Sequence, residues 1–208
     1  MGGAEIASLF TRPDGTFAFA RWRRPIAPVV FGVDDGTLVT VRGAIETVAA
    51  VAGHGLAETD PEQGANLIVF FIRDWGELLS LPDLDRLVEG LHPLVARLEA
   101  EGSNQYRHFR FEADGAIRAC IVFVRMDRAL AALPADTLAL NLAARAILTW
   151  SGSAALVAEA GGRAVLAPGI AALLRAAYDP VLPPAAGDPS HALRLAARVA
   201  GAVQKSSG

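Results

Sequence analysis

Apolar positions along the chain recur at two periods. From Val41 through Ile45, Val48 and Ala49 they fall on one face of a helix. The turn Asp34-Asp-Gly-Thr37 precedes it, with Thr37 as the expected cap, and Gly53-His-Gly55 ends it. Leu84, Leu87, Val88, Leu91, Leu94, Val95 and Leu98 repeat the helical spacing between about Pro82 and Ala100, where Pro93 should kink the helix or split it in two. Between these regions Asn66-Leu-Ile-Val-Phe-Phe-Ile72 is a continuous apolar run of strand length, the pattern of a strand buried on both faces. Two shorter β-prone stretches, Thr16 to Ala20 and Ile26 to Val33, flank the charged segment Arg21-Trp-Arg-Arg24-Pro25. Pro25 and Pro28 make the second an edge or irregular strand.

The clearest local signal is a hairpin. Tyr106 to Phe111 and Ala116 to Val124 flank Glu112-Ala-Asp-Gly115, whose Asp-Gly pair supplies the positive φ of a tight turn. Strand alternation puts Arg107, Phe109 and Phe111 on one face and Tyr106, His108 and Arg110 on the other. The hairpin delivers a helix over Asp136 to Trp150. A further short helix ends at Leu173 to Tyr178, a stiff connection follows from Asp179 to Pro184, and the last helix starts at Asp188-Pro189 and runs toward Val203. With no internal repeat and no domain-sized linker, the pattern predicts one α+β domain over residues 1–208. Its architecture is a small mixed sheet with a β-hairpin packed against several helices, and a helical C-terminal part from about residue 136.

Composition narrows the function classes. With 52% apolar and 20% charged residues in 208, the chain can build a real core. A net charge of −3 provides no global pull toward nucleic acid or anionic lipid, so neither is expected as a partner. All basic residues but Lys205 are arginine and alanine is abundant, which we read as the codon bias of a high-GC bacterium. Cys120 stands alone in an apolar strand, so it reads as a buried inert thiol and supports neither an intramolecular disulfide nor a cysteine zinc site. No apolar run reaches the roughly 18 residues of a membrane span. The N-terminus lacks a secretory pattern, and Ile6 breaks a myristoylation pattern. The expected location is the cytoplasm, or the periplasm if a leader has been removed.

Most catalytic motifs are absent. There is no phosphate loop, no dinucleotide-binding glycine fingerprint and no H-E-x-x-H, and Trp150-Ser-Gly-Ser153 is a helix-terminating turn rather than a nucleophile elbow. His54, His92, His108 and His191 are too scattered for a zinc site by spacing, so no metal or cofactor is expected. Two signals remain. His108 shares a strand face with Tyr106 and Arg110. Arg21, Arg23 and Arg24 flank Trp22, and Arg107, Arg110, Arg118 and Arg125 follow along the hairpin, a set that could converge on an anion. About half of these should instead pair with carboxylates such as Glu58, Asp60, Glu62 and Asp74.

Arg21-Trp22, Arg24-Pro25-Ile26, Gly64-Ala-Asn-Leu-Ile68, Gly115-Ala-Ile-Arg118 and Leu174-Arg-Ala-Ala-Tyr-Asp-Pro180, taken in order, resemble an uncharacterised proteobacterial family of unknown function whose layout is similar to zincin-type metallopeptidases. The resemblance implies metal ligands on the helix after the hairpin. The matching positions here are Leu140, Asn141 and Ala144, or Asn141, Leu142 and Arg145, and neither register holds two ligands. The expectation is a non-catalytic zincin-like module that binds a protein partner or small anionic ligand through Arg21, Trp22, Arg23, Arg24, Tyr106, Arg107, His108 and Arg110. The alternative is a metal-independent hydrolase or transferase using His108 with Asp74 or Glu62. The alanine faces Ala139, Ala143, Ala146 and Ala171, Ala172, Ala176 would pack the core or form a homodimer interface.

Overall fold

The computed structural model describes residues 1–152 and 154–206, the side chains of 202–206 excepted. Ser153 of the Trp150 to Ser153 turn therefore lies outside the described residues. In chain order the elements are α1 (Gly3–Phe10), β1 (Phe19–Ala20), β2 (Pro28–Phe31), α2 (Asp35–Ala52), β3 (Leu67–Ile72), a 3-10 helix (Trp75–Ser80), α3 (Leu84–Leu87), α4 (Leu91–Ala100), β4 (Gln105–Phe111), β5 (Ile117–Arg125), α5 (Arg128–Ala131), α6 (Ala135–Ala146), β6 (Val157–Ala160), β7 (Arg163–Leu166), α7 (Pro168–Ala177), β8 (Ala185–Ala186) and α8 (Ser190–Ser206).

Four strands form the main sheet in the order β2-β3-β5-β4. β2, β3 and β5 run parallel, and β4 pairs antiparallel with β5 through the predicted hairpin. The α+β class and the mixed sheet read from the sequence are thus observed. β2 lies at one edge and carries Pro28 as its first residue, where a missing N–H costs no ladder bond. β3 and β5 are central, which accounts for the apolar runs Leu67 to Ile72 and Ala119 to Val124.

Each face of the sheet has its own core. Leu67, Val69, Phe71, Cys120, Val122 and Val124 pack with Val41, Ile45 and Val48 of α2 and with the buried face of α6. Ile72, Ile121 and Phe123 pack with Trp75, Leu78 and with Leu91, Leu94, Val95 and Leu98 of α4. On that second face one aromatic residue from each strand stands side by side: Phe31, Phe70, Phe123 and Tyr106 are successive register partners across the sheet. Phe31 stacks on Phe70 at 5.1 Å and Phe70 on Phe123 at 5.7 Å. Two small antiparallel pairs, β1 with β8 and β6 with β7, lie outside the main sheet.

Several local expectations change. Asp34, not Thr37, caps α2, because its carboxylate accepts the Thr37 N–H at 2.8 Å. The Pro82 to Ala100 region is split in two, but ahead of Pro93: α3 ends at Leu87 with Val88 as its cap, and Gly90, at a φ of 71°, starts α4. Pro93 then falls in the first turn of α4, where its lack of an N–H is harmless. α6 stops at Ala146, short of Trp150, because Leu148 leaves the helix to bridge Arg21. Ala139, Ala143 and Ala146 are buried within the chain itself, in the helix that packs against α2.

Candidate functional site

The segment 21–24 runs beside the β4–β5 hairpin, tied by a parallel bridge from Trp22 to Ile117. Its alternation decides where each side chain goes. Trp22 points inward, is fully buried, and donates its indole N–H to the Ala146 carbonyl at 3.0 Å. It is a core residue, and its placement among arginines reflects period-2 alternation rather than a surface anchor. Arg21 donates to the Leu182 carbonyl and lies over the Tyr178 ring at 5.5 Å. Arg23 pairs with Asp114 at 2.5 Å.

Arg24 is the centre of an ion network. It reaches Asp60 and Glu62, each at 3.2 Å, and Glu112 at 2.6 Å, and Glu62 also holds Arg118 at 3.2 Å. The buried Asp60 carboxylate further accepts the N–H groups of Glu62 and Gln63 and the Asn66 side-chain amide. Burial pushes its pKa up, yet these donors together with Arg24 outweigh burial and hold it below the ordinary carboxylate value. Asn66, itself buried, accepts the Ala27 N–H at 2.8 Å and donates to the Pro25 carbonyl. This cluster stitches the start of β2 to the start of β3, and its arginine is fully committed. The acidic loop thus supplies internal partners, as its sequence suggested.

The other half of the candidate set lies on β4 and differs in kind. An open groove of about 460 Å³ runs along this strand, lined by Gln105 to Phe109 on one side and by Arg12, Pro13, Thr149, Trp150, Ser151 and Gly152 among those on the other. Arg107 extends into it. Burial lowers the pKa of its guanidinium, and the charge of nearby Arg145 lowers it further. Among the described residues its guanidinium makes one hydrogen bond, to the Gln105 side-chain oxygen at 3.4 Å. Arg145 spends its donors on neutral acceptors: Asn141 Oδ1, the Gly152 carbonyl and the Ala154 carbonyl. Among the described residues no carboxylate pairs with Arg12, Arg107 or Arg145.

His108 lines the same groove. Burial, then the neighbouring Arg110, lowers its pKa, so the imidazole is neutral near pH 7. It makes no hydrogen bond among the described residues, and its expected carboxylates are engaged elsewhere: Asp74 caps the 3-10 helix at the Gly76 N–H, and Glu62 holds Arg24 and Arg118. Tyr106 turns to the opposite core, with Arg97 over its ring at 5.9 Å, and Arg110 is solvent-exposed.

No family model matches the chain, and neither a curated protein nor a solved structure matches it. The geometry must carry the functional reading. On α6, Leu140, Leu142 and Ala144 are all buried and apolar, and Asn141 and Arg145 are bonded to each other at 2.9 Å. Among the described residues no group of three His, Cys, Asp or Glu side chains is placed to hold a metal. Among them, too, no helix is long and apolar enough to cross a membrane.

Proposed function

We propose that this protein is a non-catalytic binding module whose groove beside β4 receives an anionic group, a carboxylate on a protein partner or small ligand, on the Arg107 guanidinium. The observation that carries the reading is a desolvated arginine that lines an open groove near a second arginine, neither of them paired with a carboxylate among the described residues. Taking a guanidinium partly out of water costs free energy that a carboxylate normally recovers. For Arg23 and Arg24 that carboxylate is internal; for Arg107 it is the ligand's. Arg12 sits at the rim to add attraction, and Trp150 supplies a flat apolar wall.

In this reading the chain is a bacterial, zincin-like domain without metal ligands, a likeness supported by the order of hairpin, short connection and core helix. Its setting is the cytoplasm, with the periplasm as the alternative. The test is a titration with a capped triglutamate peptide, followed by fluorescence. Trp22 and Trp75 are buried, so a change on binding reports Trp150. Saturable binding by the wild type, lost in Arg107→Ala and kept in Arg23→Ala, is the expected result. Binding that survives Arg107→Ala would overturn the assignment.

A further inference from the structure

Resting on that reading, we infer that the occupant of the groove is an extended acidic segment of a protein partner, which adds to the sheet as a fifth strand along β4. The backbone directions carry the argument. Arg125 donates its N–H to the Asn104 carbonyl at 2.8 Å, which makes that pair a hydrogen-bonded one of the antiparallel ladder. Alternation then turns the N–H and C=O groups of Tyr106 and His108 toward β5 and those of Gln105, Arg107 and Phe109 away from it. The other side of β5 agrees: Cys120 donates to Asn66 on the β3 side, so its register partner Phe109 has its own backbone groups facing outward.

β4 is the edge of the sheet, and none of these outward groups has a partner among the described residues. The groove touches five successive residues, Gln105 to Phe109, whose side chains alternate between the two faces. Space that meets both faces of a strand lies against its edge. A strand laid there would find three residues' worth of free donors and acceptors, with an Arg107 side chain beside the central one.

Edge strands are ordinarily guarded by charges that stand out into water, and Arg110 does this. Arg107 does not, because it is half-buried and desolvated within the groove. Charge then selects the occupant. With no carboxylate paired to Arg107 or Arg145 among the described residues, a Glu- or Asp-bearing strand gains a charge-assisted bond as well as the ladder, which is how strand-addition sites combine affinity with selectivity.

The experiment titrates the protein with a capped heptapeptide of alternating Glu and Val. Alongside it run two versions N-methylated at alternate residues, one for each edge of the peptide strand. Binding is read by the amide signals of Gln105, Arg107 and Phe109 and by their hydrogen exchange. Strand addition predicts slowed exchange at those three amides, loss of at least about tenfold in affinity for one methylated version only, and a similar loss in Arg107→Gln. Equal binding of both methylated versions, or equal loss in both, overturns strand addition, because an added strand uses one edge. If the heptapeptide fails while triglutamate still binds in an Arg107-dependent way, strand addition falls and the anion-binding reading stands; if neither binds, both fall.

Discussion

Replacing Asp60 with Asn tests the account of the ion network most sharply, because the substitution keeps shape and removes charge. In the native protein the Asp60 carboxylate, 5% exposed, accepts from two backbone N–H groups at 2.9 Å, from Asn66 Nδ2 at 3.0 Å and from Arg24 at 3.2 Å. An amide oxygen can keep the Glu62 and Gln63 N–H bonds. Its NH2 group then faces Arg24 and the Asn66 amide, both donors, so two charge-assisted bonds are lost and buried donors are left unpaired. Together these cost about 2–4 kcal/mol. With a urea slope of roughly 2–3 kcal/mol per molar, the midpoint should drop by about 1 M. The pH dependence gives an independent check. Asp60 is held below the ordinary carboxylate value of 3.8, so the unfolded state binds the extra proton in the window beneath that value. Its contribution is complete above the unfolded value and disappears as the pH falls through the folded one. The gap between wild type and Asp60→Asn should therefore narrow below about pH 4. A cost under about 1 kcal/mol at pH 7, or a gap that does not shrink in acid, would refute the reasoning.

Other sites give separate tests. Gly32 has a φ of 80°, and a Cβ there would sit on the Phe71 carbonyl oxygen; Gly32→Ala should cost about 2–4 kcal/mol in chemical denaturation. Burial pushes the Cys120 thiol up to about 12, so a disulfide reagent should label it only as fast as the protein opens; rapid stoichiometric labelling of folded protein would contradict its placement. His191 is 2% exposed, lies tilted against the Phe19 ring at 4.5 Å, and has no partner for either ring nitrogen among the described residues. Burial, with Arg194 and Arg21 nearby, lowers its pKa, so the unfolded state takes up the proton first and stability falls as the pH drops below 6.5. His191→Phe should be neutral or stabilising at pH 7 and should flatten the slope of stability below pH 6.5; an unchanged slope would count against it.

Elements with a strong period were legible in the sequence: β3, the β4–β5 hairpin and α2 lie where apolar spacing placed them. α1 was missed although Ile6, Leu9 and Phe10 have helical spacing, because its Gly-Ala-rich start is weak as a helix signal. β6–β7 was missed too, and its signal was Gly161-Gly162, both at positive φ in the turn. The site was half legible. Arg107 and His108 stood out on the hairpin, but Arg12 and Trp150 come from distant segments that only tertiary packing brings to the groove. Trp22 looked like a surface anchor because its neighbours are charged, yet in a strand-like segment neighbours point the opposite way.

The strand order also has a kinetic consequence. The β4–β5 turn joins partners a few residues apart, whereas Leu67 must find Cys120 across 53 positions. Loop closure makes the first pairing fast and the second slow. During folding, β5 should thus be offered to β3 from a preformed hairpin, and until β3 docks both sides of that hairpin are open to other chains. Refolding yield should then depend steeply on protein concentration, and an acidic strand that occupies β4 would close one of the two open sides.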